Sequence, residues 1–155
     1  MQPEDNRIVK VRVNASGKRA IGYVDLPAEH QRISDILNGP EDYLMLRQEE
    51  RPLPSDERGI VAIFNEAISY VEALEEPERS KSLRREGKFH PVTAELKEPA
   101  VTIQAELFVP ENGTIRAVLN GPRRFINLRN VRFINSIEKY GYLAVGKKQI
   151  IHLKT

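Results

Sequence analysis

The sequence predicts an all-β, or β-rich α+β, protein built from two tandem small β-barrel or β-sandwich repeats, each carrying one short helix. Two observations predict this class. A 40-residue segment that begins at Ile33 recurs without a gap at an offset of 82 residues, and 10 of its positions are identical. Around these segments, apolar and polar residues alternate with a period of two, as is typical of half-buried strands. Because a unit of roughly 65 residues is marginally stable alone, we expect the two repeats to pack as a pseudo-twofold pair.

The elements of the first repeat begin with a predicted hairpin. Residues 8–13 alternate as a strand, and Ser16-Gly17 turns the chain into a second strand over residues 20–26. The i, i+3, i+4 spacing of Ile33, Ile36 and Leu37 then predicts one or two helical turns.

The helix is expected to end at Asn38-Gly39-Pro40, with the glycine in a left-handed conformation. The sequence 43–47 reads as the third strand. Residues 59–64 and 67–74 form a second hairpin around Asn65-Glu66, and the second repeat follows the same order. In the second repeat, residues 131–137 are apolar enough to prolong a strand, where the first repeat has an acidic, proline-containing loop.

Charge separates the two repeats. We place repeat one at residues 7–76, a linker at 77–88 and repeat two at 89–155. Repeat one holds 9 basic and 13 acidic residues (−4), the linker 5 and 2 (+3), and repeat two 10 and 5 (+5). With the −2 of residues 1–6, these values sum to the net charge of +2. A nearly neutral chain therefore has an acidic half and a basic half, which attract each other, attract a neighbouring molecule, or bind a polyanion.

Two candidate binding surfaces follow from this separation. The candidate basic surface consists of Arg123, Arg124, Arg129, Arg132, Lys147 and Lys148. The candidate acidic surface is the loop 48–58, through Glu49, Glu50, Asp56 and Glu57. Arg47 and Arg129 occupy the same position in the two repeats. That duplication indicates either a twice-used site for an anionic ligand or, as we favour, two ion pairs with neighbouring carboxylates.

Several classes of function have no support in the composition. The chain has no Cys, which excludes disulfides, thiolate metal sites and cysteine nucleophiles. Its three histidines fall in different elements, without a second ligand at metal spacing. No phosphate-binding glycine loop or catalytic triad motif is present. We therefore expect no enzyme activity, no metal and no cofactor. The lack of an apolar run long enough for a membrane helix or signal peptide predicts a cytoplasmic protein that does not bind membranes.

One short motif carries a resemblance. Ile115, Leu119-Asn120, Phe125-Ile126 and Leu128 form a pattern that repeat one matches with Ile33, Leu37-Asn38, Tyr43-Leu44 and Leu46. This pattern resembles a prokaryotic domain family of unknown function, which implies a fold but no activity or site residues. The short strands are also similar to those of SH3-like and Sm-like barrels, although Sm-like domains begin with their helix.

The functional expectation is a non-catalytic binding or assembly module. We expect an adaptor or regulatory subunit that contacts protein partners, or itself, through the acidic loop and the basic surface. The alternative is nucleic-acid binding through repeat two and the linker. A weaker alternative is a small anionic ligand or nucleotide, held between the repeats near Arg47 and Arg129.

Overall fold

In the described part of the chain, ten β-strands form one antiparallel sheet, and a short helix follows the second strand of each half. The computed structural model describes residues 7–30, 32–49, 59–75 and 86–155. The first half contains β1 (Arg7–Ala15), β2 (Lys18–Leu26), α1 (Ile33–Leu37), β3 (Tyr43–Arg47), β4 (Ile60–Phe64) and β5 (Ile68–Glu75). The second half contains β6 (Gly87–Leu96), β7 (Val101–Pro110), α2 (Ile115–Asn120), β8 (Phe125–Phe133), β9 (Lys139–Gly146) and β10 (Ile150–Lys154). A 3₁₀ turn joins β4 to β5 at Asn65–Ala67, and another joins β9 to β10 at Lys147–Gln149.

The predicted order of elements within each half is confirmed. Alternating burial of Val9, Val11 and Val13 on β1 reflects the period-two pattern of the sequence. The turn between β1 and β2 places Ser16 and Gly17 at positive φ. The longer third strand of the second half is confirmed as far as Phe133, where β8 ends, whereas residues 134–137 of the predicted extension lie in the turn before β9. Strand β6 begins at Gly87, just inside the predicted linker, whose residues 77–85 lie outside the described ranges.

The order of strands in the sheet is β10-β6-β7-β8-β9-β5-β1-β2-β3-β4. Each half therefore has its fifth strand beside its first, followed by its second, third and fourth. The halves meet where β9 pairs with β5. The expected packing of two separate barrels as a pseudo-twofold pair is not confirmed, because the strands form one sheet and the ladder between the halves joins a fourth strand (β9) to a fifth strand (β5).

Two hydrophobic clusters fill the molecule, and each takes residues from both halves. The cluster of the second half includes Tyr70 of β5. The cluster of the first half includes Phe125 of β8 and Ala144 of β9. Since apolar burial is the main stabilising contribution to folding, this exchange makes the packing of each half depend on the other.

The helix ends differ from the expected left-handed glycine cap. Among the described glycines only Gly17 and Gly59 have positive φ, and Gly121 after α2 has φ −74°. Glycine is instead favoured by close approach. A Cβ on Gly121 would lie 2.8 Å from the carbonyl oxygen of Ala117, and one on Gly39 would lie 3.1 Å from that of Ile36. Within the described part of the chain, neither helix has the length or apolar character needed to cross a membrane.

Candidate protein-interaction surfaces

The predicted basic surface is largely occupied by contacts within the protein. Arg124 donates hydrogen bonds to the carbonyl oxygens of Gly39 (2.5 Å) and Glu41 (2.8 Å) in the first half. Its guanidinium also lies 3.7 Å from the carboxylate of Asp42. The ammonium of Lys148 pairs with the carboxylate of Glu66. These side chains bind the basic half to the acidic half, so their charge is already balanced by neighbouring groups.

The remaining basic residues are divided between a helix end and the outer side of β8. Lys147 donates to the carbonyl oxygens of Leu119 (3.1 Å) and Gly121 (2.7 Å) at the end of α2, and burial lowers the pKa of its ammonium. Arg132 donates to the side chain of Gln104 (3.3 Å) and lines an open cleft of about 470 Å³ over β6, β7 and β8. Arg123 lies exposed in the loop after α2. The structure therefore does not assemble the six predicted residues into one continuous cationic face.

Both duplicated arginines form ion pairs, as the sequence favoured. Arg47 pairs with the carboxylate of Asp25 at 2.5 Å. Arg129 pairs with Glu106 at 2.7 Å, and its guanidinium carbon lies 3.2 Å from the centre of the Phe89 ring. The ion-pair partner of Arg47 lies in the first half and the partners of Arg129 lie in the second half, so the two arginines share no partner in the described contacts.

The predicted acidic loop lies mostly outside the described residues. Glu49 is exposed, and its carbonyl oxygen accepts a hydrogen bond from Arg47 at 3.5 Å. Glu50, Asp56 and Glu57 fall within 50–58, which the structure does not describe. In the described ranges, no three His, Asp or Glu side chains are grouped closely enough to hold a metal ion.

The junction between the halves is a short antiparallel ladder between β5 and β9. In the β5–β9 ladder, Tyr70 lies opposite Val145 and Val71 lies opposite Ala144. All four side chains are buried, and they cover both faces of the sheet, because Tyr70 and Val145 belong to one cluster and Val71 and Ala144 to the other. Gly146 allows the strands to approach closely, since a Cβ there would lie 2.6 Å from the carbonyl oxygen of Ile68.

Helix α1 adds a polar contact to this junction. The side chain of Asn38 accepts a hydrogen bond from the backbone N–H of Phe125 (2.7 Å) and donates to its carbonyl oxygen (3.1 Å). Ser34, which is fully buried, lies 3.3 Å from the hydroxyl of Tyr142 on β9. The sequence indicated Asn38 only as part of a helix end. The recurrence of this asparagine as Asn120 was the available sequence signal that its amide makes a contact beyond the helix end.

The strands at the two ends of the sheet leave the equivalent surfaces open. At the offset of 82, the buried residues Leu143, Ala144 and Val145 of β9 correspond to three residues of β4, namely Val61, Ala62 and Ile63. Of these, Val61 is 39% exposed and Ala62 is also exposed. Fully buried Ser69 of β5 corresponds to Ile151 of β10, which is 64% exposed.

The helix of the second half is open in the same way. Ile33, Ser34 and Leu37 of α1 are buried, whereas α2 has no buried residue. Asn120 is exposed and donates to the carbonyl oxygen of Arg116 in its own helix (2.9 Å). Together, α2 and β10 form what we call the α2–β10 surface, and the outer edge formed by β3 and β4 is the β3–β4 surface.

Comparison with known proteins adds no assignment to these surfaces, since no family model, curated protein or solved structure matches the chain.

Proposed function

We propose that this protein is a non-catalytic assembly module, an adaptor or regulatory subunit, that binds protein partners by adding strands to the two ends of its sheet. The observation that carries the proposal is the exposure of apolar side chains on β4 and β10, the terminal strands of the sheet. A terminal strand has unpaired backbone N–H and C=O groups that an incoming strand can satisfy. The exposed Val61 and Ile151 supply apolar area beside those groups.

We also propose that the chain is a tandem duplication of one small β unit. The strand order of each half and the sequence offset of 82 support this view. The backbone hydrogen bond from Asn65 N to Asp42 O (2.8 Å) recurs as Lys147 N to Arg124 O (2.9 Å), at the same offset. A duplicated unit carries two copies of each edge. The β5–β9 junction uses the fifth-strand edge of the first half and the fourth-strand edge of the second half. The fourth-strand edge of the first half (β4) and the fifth-strand edge of the second half (β10) are left for partners.

Nucleic-acid binding by the basic half is the less favoured proposal. Four of the six basic residues that it requires have carboxylate or carbonyl partners inside the protein. Cations engaged in this way release few counterions from a nucleic acid, and counterion release supplies most of non-specific affinity.

The test is affinity purification of the tagged full chain at low salt, comparing wild type with Ala62→Lys on β4 and Ile151→Lys on β10. Lysine on a terminal strand opposes the addition of another strand. Ile21→Lys is the matched control, because Ile21 is 53% exposed on β2, which has a neighbour on each side. We expect the edge variants to lose partners that wild type and Ile21→Lys retain.

Two outcomes would contradict the proposal. The first is an unchanged set of partners in both edge variants. The second is co-purifying nucleic acid that disappears when salt is raised, which would favour the basic half as the functional surface.

A further inference from the structure

We infer that the partner of each terminal surface is a second copy of this chain, with the α2–β10 surface of one molecule docked on the β3–β4 surface of the next. This inference rests on the proposed function and names its partner. The internal junction is the template. It joins a helix and a fifth strand (α1 and β5) to a third and a fourth strand (β8 and β9). The α2–β10 surface corresponds to the first side of that contact, and the β3–β4 surface corresponds to the second side.

The template specifies a register between copies. Tyr70 opposite Val145 becomes His152 of one copy opposite Ile63 of the next, at the offset of 82. Val71 opposite Ala144 becomes Leu153 opposite Ala62. The amide of Asn120 would then meet the backbone of Tyr43, as Asn38 meets that of Phe125. The exposed Tyr43 and Phe64 rings, 5.4 Å apart, lie at this end of the β3–β4 surface.

Charge favours the head-to-tail contact over a symmetric contact that joins the same surface of two copies. Glu66 and Lys148 occupy equivalent positions, as do Asp42 and Arg124. Within each copy these four side chains already pair with each other, so attraction between copies comes from the remaining charges of the two repeats. A symmetric contact between two β3–β4 surfaces would oppose acid to acid. The charges of −4 and +5 on the two repeats add attraction in the same direction.

One position makes the contact between copies weaker than the internal junction. Phe64 occupies the place of Gly146, where the internal junction has no room for a side chain. The strands must therefore separate at this end, so the association between copies is reversible. Because the contact joins unlike surfaces, every open assembly keeps one free surface of each kind, unless a ring closes.

The experiment is sedimentation equilibrium of the purified full chain from low micromolar to near-millimolar concentration. Wild type and Ile21→Lys are expected to rise from 17.7 kDa to masses beyond a dimer. Ala62→Lys and Ile151→Lys correspond to positions that are fully buried in the internal junction, so each should stay monomeric alone. Their equimolar mixture retains one compatible pair of surfaces, and it should form dimers and nothing larger.

Further variants test the details of the contact. Phe64→Gly should lower the dissociation constant several-fold, Asn120→Ala should raise it, and added salt should weaken the association. A dimer formed by either edge variant alone would overturn the head-to-tail arrangement, because only like surfaces could then be joined.

A wild-type chain that stays monomeric throughout would overturn self-association. The proposed function would survive that result if the edge variants still lose a different protein partner in the affinity purification. If they lose none, both proposals fail.

Discussion

At the scale of single residues, Asn38 shows how a helix end becomes a contact between the two halves. Its amide satisfies both backbone groups of Phe125, which lies on β8 of the second half, is 2% exposed and packs in the cluster of the first half. Buried backbone groups that lose their partners cost about 1–3 kcal/mol each, because water cannot replace the lost hydrogen bond. A side chain at the surface of a short helix therefore influences the stability of the whole junction.

We predict that Asn38→Ala lowers the free energy of unfolding by about 1–3 kcal/mol, since it leaves the N–H and C=O of Phe125 unpaired. Urea denaturation at low protein concentration measures the change. Asn120→Ala is the matched control, because Asn120 is exposed and bonds only within α2 in the described structure. Equal losses in the two variants would show that the contact with Phe125 contributes nothing.

Tyr140 gives the protein a dependence on alkaline pH. Burial, followed by the nearby charge of Glu138, raises the pKa of its hydroxyl to about 12, from 10.0. Its ring packs 5.3 Å from that of Phe133. The folded state therefore keeps this proton between those two values, while the unfolded state loses it, so stability falls as pH rises through this interval.

The prediction is that the wild-type protein loses more stability than Tyr140→Phe between about pH 8 and about pH 11. The measurement is urea denaturation at both pH values, with tyrosinate absorbance recorded in parallel. Lysine deprotonation contributes equally to both proteins and cancels in the comparison. A parallel decline of the two proteins would show that Tyr140 ionises normally when folded.

At the scale of elements, strand β9 can approach β5 closely because its last residue, Gly146, has no side chain. The carbonyl oxygen of Ile68 occupies the space in which a Cβ of Gly146 would lie. We predict that Gly146→Ala destabilises the protein by about 1–3 kcal/mol, because β5 must move away from β9. Thermal unfolding measures the effect. Gly141→Ala on the same strand is the control, since nothing lies within 4 Å of its built Cβ. Equal unfolding temperatures for the two variants would argue against a tight junction.

The strands and helices could be predicted from the sequence, because their signals are local. Alternation along β1 and the turn at Ser16-Gly17 depend only on neighbouring residues. The junction could not be predicted, because Leu143-Ala144-Val145 and Val61-Ala62-Ile63 are nearly the same sequence, yet only the first segment is buried on both faces. Pairing between distant strands decides that difference.

The internal partners of the candidate basic surface could not be predicted, for a related reason. A count of charges does not show that Lys148 meets Glu66 or that Arg124 meets the loop after α1, since both pairs are more than 80 residues apart in sequence. The replacement of Phe64 by Gly146 was a usable signal for the junction. Glycine in a strand often marks the close approach of another backbone.

At the scale of the whole molecule, the acidic and basic halves share their two hydrophobic clusters. Among the described residues, three ion pairs cross between the halves: Arg19 with Glu138, Arg124 with Asp42, and Lys148 with Glu66. Exposed pairs of this kind contribute little individually, so the exchanged core residues supply most of the coupling. The charges then set which surfaces meet and how quickly.

This coupling predicts the behaviour of the chain when it is divided between residues 76 and 77. Residues 77–155 alone would expose Phe125 and Ala144, which pack in the cluster of the first half, and residues 1–76 alone would lack these two side chains in their core. Each fragment should therefore unfold without a cooperative transition, and the mixture should form a 1:1 complex with the circular dichroism of the intact chain. Light scattering and thermal melts measure this, with Asn38→Ala in the first fragment expected to weaken the complex. A fragment that melts cooperatively at the temperature of the intact chain would show that its half folds independently, and that the junction is only a docking contact.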